Sequence, residues 1–165
     1  MNRLSRNILL LIVLLMNLGC DQISKEIARS SLEYHRPVAV IGDFFSLIKI
    51  ENTGAFLSMG HNWPEWLRLL ILHIMPVGFL VAGVYILLTN TRMSLLMASG
   101  LGFMLGGGTG NMIDRLTYGS VTDFLHLDLV LVETGIFNLA DVSILIGVAF
   151  MVADQLLRRS HHIPA

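Results

Sequence analysis

Charge is scarce in this 165-residue chain. Lysine, arginine, aspartate and glutamate together make up 14% of it, against about 25% in a typical soluble domain. The net charge is −1 and there is no basic run, so nothing points to a nucleic-acid partner. Cysteine occurs once, at Cys20, which excludes an internal disulfide framework and a multi-cysteine metal site. The six histidines are scattered apart from the tail pair His161 and His162, and none has the spacing of a zinc motif. No metal and no cofactor are expected. No serine or cysteine is paired with a suitably placed histidine, so no nucleophile–base couple is visible.

Apolar residues are abundant, at 54% of the chain. They form four segments, Ile8–Ile23, Trp66–Thr89, Met93–Met112 and Ile136–Leu157. A bilayer span takes about 20 residues. With their polar ends included, the segments predict four transmembrane helices over about 8–28, 66–89, 93–115 and 137–157, in one integral membrane domain covering 1–165. Four spans place both termini on one side. Arg3, Arg6, Arg92, Arg158 and Arg159 crowd the ends and the short turn at 90–92, and arginine density near span ends marks that side as cytoplasmic. The start of the chain also resembles a secretory signal closing on Leu18-Gly19-Cys20. Asn17 stands where such a box needs an aliphatic residue, and Asp21 and Lys25 continue the helix as an acid-first i,i+4 pair. The segment is expected to remain as the first span, with Cys20 a small packed residue.

Between the first two spans, roughly 36–60, the character changes. Val38, Val40, Phe44, Phe45, Ile48 and Ile50 are strand formers, and Asn52-Thr53-Gly54 supplies a turn. A small extracytoplasmic β element is predicted, either capping the bundle or holding an extended peptide by strand addition. In the second span Trp63 and Trp66 suit the interface, Pro76 predicts a kink, and His73 reads as a packing residue. In the third, Gly102, Gly106 and Gly110 are four apart, which suits close helix packing. Asp114 continues that row and is expected to orient Arg115 beside it.

Polar residues concentrate around the end of the third span and the start of the fourth. Gly110-Asn111-Met112-Ile113-Asp114-Arg115 is followed by Gly119-Ser120-Val121-Thr122-Asp123-Phe124, and then by Phe137-Asn138-Leu139-Ala140-Asp141. Ionisable groups at a membrane are costly and mark function by default. Asn138 is a good N-cap, which puts Asp141 in the first turn of a helix, where an anion is favoured. Asp123 lies among apolar neighbours, which favours its neutral form. The two can meet at one membrane face. Two carboxylates that share a proton can activate water and polarise a peptide carbonyl. The same residues could instead pair with Arg115 and Lys25 to hold helix ends together, or carry protons in a small transport or assembly protein.

Four blocks occur in order: Asp21-Gln22-x-x-Lys25, Glu51-Asn52-Thr53-Gly54-Ala55, Gly110-Asn111-x-x-Asp114-Arg115 with Gly119-x-Val121-x-Asp123-Phe124, and Phe137-Asn138-x-Ala140-Asp141. Over about residues 8–157 the chain resembles the lipoprotein signal peptidase (signal peptidase II) family. The resemblance implies a mainly α membrane protein of four transmembrane helices with an extracytoplasmic β-cradle. It implies an intramembrane aspartic endopeptidase of the bacterial cytoplasmic (inner) membrane, acting near the extracytoplasmic face. The substrate would be a diacylglyceryl-modified prolipoprotein cut just before its lipidated cysteine, and globomycin-like cyclic peptides would inhibit. It maps the catalytic pair onto Asp123 and Asp141. Asp21, Lys25, Asn52, Gly54, Asn111, Asp114, Arg115, Asn138 and Ala140 map onto positions that support or line the site. Membrane lipid is a partner, and the chain is expected to act as a monomer. Two departures stand out: Ala55 runs straight into Phe56 where the family has two alanines, and Thr109 replaces a larger aliphatic.

Overall fold

The computed structural model describes residues 2–54, 62–129 and 133–160. Ala55, Phe56 and Leu57, where the sequence departs from the family pattern, lie outside the described residues, as does the His161–His162 pair. Helix α1 (Arg3–Ser31) leads into strands β1 (Val38–Ile41) and β2 (Phe45–Asn52). A second helical stretch runs as α2 (Glu65–Leu69), a π-helical segment (Leu70–Ile74) and α3 (Met75–Thr89). Then come α4 (Leu95–Tyr118), strand β3 (Val121–Leu127) and α5 (Leu139–Ser160). Among the described residues, three helices are long and apolar enough to cross a membrane: Arg3–Ser31, Glu65–Thr89 and Leu139–Arg159. Helix α4 has 24 residues, but its glycines, Asn111 and Asp114 dilute its hydropathy.

Local chemistry explains the boundaries. Asn2 caps α1 by accepting the Ser5 N–H (2.7 Å), and Ser94 caps α4 by accepting from Met97 (2.9 Å). Gly119, at φ 76°, ends α4 in the left-handed conformation that glycine adopts without strain. Helix α1 passes unbroken through Cys20, which is exposed and not the packed residue expected. The π-helical turn lies immediately before Pro76. A wider turn of this kind absorbs the hydrogen bond that proline cannot make, so the kink signal at Pro76 appears as π geometry. His73 sits in that turn and is only half-buried.

The bundle is held by close backbone approach. A Cβ on Gly106 would lie 2.8 Å from the Leu14 carbonyl oxygen of α1, and one on Gly107 only 2.3 Å from that of Ala140 in α5. Gly100 and Gly147 face each other in the same way. The glycines of α4 therefore serve two neighbours on two faces, not one row. Gly102 is less demanding, since its nearest neighbour would be 3.6 Å away. At the end remote from the sheet, buried Arg6 donates to the carbonyls of Leu87 (3.3 Å) and Asn90 (3.0 Å), which ties α1 to the end of α3.

The sheet is antiparallel in the order β1-β2-β3. Its third strand comes from residues 121–127, an alternating stretch beyond the 36–60 assigned to the β element. Glu51 pairs with Thr122 and Ile50 with Asp123. This pairing carries Asp123 to the mouth of the helix bundle.

Candidate active site

Three local devices assemble the site. The first is the turn after β2. Asn52 accepts the Gly54 N–H on Oδ1 (3.0 Å) and donates from Nδ2 to Asp123 Oδ2 (3.1 Å). The second is a single bridge beyond β3. Phe137 and Leu125 exchange backbone hydrogen bonds of 2.8 and 2.9 Å, which lays Asn138 against the strand. The Asn138 amide then donates to Asp123 Oδ1 at 2.6 Å. The third is the cap of α5. Asn138 Oδ1 accepts the Asp141 N–H (3.0 Å), and the Asp141 carboxylate accepts the Asn138 N–H (3.3 Å). This reciprocal capping box satisfies two N–H groups that a helix start leaves free.

Asn111 links the two carboxylates from α4. Its Nδ2 donates to Asp141 Oδ1 (2.9 Å), while its Oδ1 accepts from Asn138 Nδ2 (3.1 Å) and Lys25 Nζ (2.8 Å). Two donors on the oxygen leave the amide one orientation, with its N–H toward Asp141. Asp123 is 3% exposed. Burial raises its pKa to about 6, and the neighbouring Asp141 charge adds to the rise, against the hydrogen bonds from Asn52 and Asn138 and the charge of Lys25.

Behind the pair lies a buried ionic cluster. Asp21 and Lys25 are both fully buried and 2.9 Å apart. Lys25 also pairs with Asp114 at 3.1 Å, and Arg29 reaches Asp114 at 2.8 Å. The other Asp21 oxygen accepts the Ala140 N–H at the start of α5 (2.9 Å). Gly110 makes room for Asp21: a Cβ there would lie 2.3 Å from the carboxylate.

Asp21, Lys25, Asn52, Gly54, Asn111, Asp114, Asn138, Ala140, Asp123 and Asp141 thus belong to one connected set. Arg115 joins it differently from expectation. Asp114 does not orient Arg115. It takes Lys25, Arg29 and the Thr122 N–H (3.2 Å), because its row on α4 faces α1. Arg115 turns its guanidinium to the Gly54 carbonyl (3.1 Å) and that of Asn111 (3.4 Å). Sequence reasoning missed Gln22, Arg29 and Thr122 as cluster members. Gln22 donates to Asp114 (3.1 Å) and to the Gly110 carbonyl (3.1 Å). Arg29 was signalled by spacing, since Asp21, Lys25 and Arg29 follow at i, i+4 and i+8 on one helix face.

A cavity of about 640 Å³ opens on this network. Asn52, Asn111, Arg115, Asp123 and Asp141 form its polar wall, and Ile71, Leu72, Pro76, Phe137, Val142 and Leu145 its apolar one. Such a lining suits an apolar ligand with a polar group facing the two carboxylates.

Residues 12–157 match the family described as Signal peptidase (SPase) II. The chain belongs to the signal peptidase II family. Among curated relatives it is 33% identical over 147 residues to the lipoprotein signal peptidase of Azoarcus sp., covering 87% of this chain and 80% of that one. It is 34% identical over 148 residues to that of Moorella thermoacetica, covering 89% and 92%. A solved bacterial membrane enzyme superposes with a TM-score of 0.77 at 26% identity, over 89% of this chain and 92% of that one. Signal peptidase II membership makes the chain a protease and, with its apolar helices, a multi-pass bacterial membrane protein. It does not favour the transport or assembly alternative.

Proposed function

We propose that this chain is an aspartic endopeptidase that removes the signal peptide from diacylglyceryl-modified prolipoproteins, cutting just before the lipidated cysteine, with Asp123 and Asp141 as the catalytic pair. The observation that carries this reading is the pair itself. Two carboxylates line one cavity, joined through Asn138 and Asn111, in a member of a peptidase family. Asp141, in the first turn of α5, is suited to the anionic role. Asp123, raised by burial, is suited to hold the proton.

In the reaction Asp141 takes a proton from water as the water oxygen attacks the scissile carbonyl carbon. Protonated Asp123 hydrogen-bonds the carbonyl oxygen as negative charge develops there. The tetrahedral intermediate collapses when its C–N bond breaks and the proton held by Asp141 passes to the leaving nitrogen. Arg115 and the donors of Asn52 and Asn138 hold the polar wall, while the apolar wall takes the signal-peptide side chains. The diacylglyceryl group stays in the bilayer, where each buried CH₂ contributes about 0.8 kcal/mol to anchoring the substrate at the membrane. Globomycin-like cyclic peptides are expected to occupy the same cavity.

The remainder of the reading is topological. Helix α4, at about 1.5 Å per residue, is long enough for the roughly 30 Å hydrocarbon core and forms the fourth span of a monomer. Both termini face the cytoplasm, and the site faces the opposite side of the inner membrane. The test is turnover of a diacylglyceryl-modified prolipoprotein peptide by purified protein. Wild type is expected to cleave before the cysteine. Asp123→Asn and Asp141→Asn should each lose at least about 10²-fold while eluting as folded protein. Near-wild-type turnover by either variant would sink the two-aspartate mechanism.

A further inference from the structure

The two asparagines that grip Asp123 come from β2 and the start of α5. Neither fixes the position of β3 against α1. That position is held one residue earlier, at Thr122, which is fully buried. Its hydroxyl accepts a hydrogen bond from Arg29 Nε (3.0 Å) and donates one to Glu51 Oε1 (2.9 Å). Its backbone N–H donates to Asp114 (3.2 Å). Thr122 therefore meets α1, α4 and β2 at a single residue. Its partners are themselves constrained. The Arg29 guanidinium lies 4.2 Å over the Tyr118 ring, and the Arg29 carbonyl accepts from Lys49 (3.0 Å). Ser120 donates to the second oxygen of Glu51.

Successive strand residues point to opposite faces. Asp123 faces the cavity, and Thr122 faces the wall behind it and is absent from the cavity lining. We propose that Thr122, clamped between Arg29 and Glu51, is a positioning residue that holds the Asp123 carboxylate in register with Asn52, Asn138 and Asp141. This rests on the reading of Asp123 as catalytic. The physical reason is the hydroxyl's double duty. It bridges the half-buried Arg29 Nε–H and Glu51 Oε1 from a fully buried position of its own, and a polar group left unmatched away from water is costly. The strand shifts to find water or new partners, and the carboxylate one residue on shifts with it. The charged groups around this point are Lys25 and Arg29 of α1, Glu51 of β2, Asp114 and Arg115 of α4, and Asp141 of α5.

The test compares Thr122→Val, which keeps the branched shape without the hydroxyl, with Thr122→Ser, which keeps the hydroxyl. Turnover of a diacylglyceryl-modified peptide is measured from pH 4 to 9, with Asp123→Asn alongside. Thr122→Val is expected to lower kcat about 10- to 100-fold with KM within about twofold. Its alkaline limb should move to lower pH, because a displaced Asp123 meets water and gives up its proton more readily. Thr122→Ser should recover kcat and the limb to within about twofold of wild type. Equal impairment in both variants, or a loss in Thr122→Val with the alkaline limb unmoved, would overturn the proposal. If Thr122→Val is not recovered folded, Arg29→Gln carries the same reading: a displaced limb supports it and an unmoved one overturns it. A dead Asp123→Asn beside an unaffected Thr122→Val refutes positioning alone, whereas an active Asp123→Asn refutes the catalytic assignment on which it rests.

Discussion

Asp123 and Asp141 differ through their immediate surroundings. Asp141 caps a helix start, and Asp123 is buried between two amides. The raised pKa of Asp123 has a consequence for stability with a definite sign. The folded chain holds this proton more tightly than the unfolded chain, whose carboxyl titrates near 3.8. The group's contribution is therefore complete below that value and is lost as pH rises through about 6. At 1.36 kcal/mol per pKa unit, the shift corresponds to about 3 kcal/mol. Thermal unfolding of the detergent-solubilised protein should show stability falling across this window. Asp123→Asn, with nothing to titrate there, should show a shallower fall. Parallel slopes in the two proteins would remove Asp123 as the cause. Both aspartates were legible from neighbouring residues: apolar flanks around one, an asparagine cap three residues before the other. The role of Asn111 as the link was not, because its amide is aimed by Lys25 and Asn138 from two other helices.

At the element scale, α4 is a glycine-lined rod that lets two helices approach its backbone. The sequence showed a regular 102–106–110 row but not which members are crowded. Gly110→Ala would drive a methyl group into Asp21, and Gly107→Ala would drive one into the Ala140 carbonyl. Each is expected to destabilise by about 1–3 kcal/mol and to reduce turnover, since Asp21 and Ala140 both hold the start of α5. Gly102→Ala meets only ordinary contacts. It should be neutral or gain up to about 1 kcal/mol from helix propensity. Melting temperatures of the three variants decide the point, and a Gly102→Ala loss equal to that of Gly110→Ala would refute the difference in crowding along the α1 face. The π-helical turn before Pro76 is also an element-scale finding. Proline signals a missing hydrogen bond, but the tertiary packing selects how the helix absorbs it.

Across the whole molecule, the buried cluster is where α1, α4, α5 and the sheet are joined. Asp114 is its hub, holding Lys25, Arg29 and the start of β3. Asp114→Asn leaves buried Lys25 and half-buried Arg29 with one carboxylate fewer. Breaking such a pair typically costs about 3–5 kcal/mol. The variant is expected to lose about that much stability and to slow turnover tens-fold, about 1.4–3 kcal/mol in barrier terms. That is less than the loss expected of Asp123→Asn or Asp141→Asn at full folding. Unfolding and turnover measured on one preparation test both halves. An Asp114 variant that folds normally yet is as inactive as Asp123→Asn would move Asp114 into the catalytic machinery.

By itself the sequence carried the apolar segments, the polar stretches at one end of them, the family motifs and the two candidate aspartates. Hydropathy, helix caps and short motifs act over a few residues and can be read along the chain. Only the tertiary structure decided that the third strand comes from 121–127, that Asp114 faces Lys25 and Arg29 and not Arg115, and that Thr122 anchors the strand bearing Asp123. These depend on which faces of distant elements meet. For a buried charge, the partner is whichever opposite group the packing brings within reach.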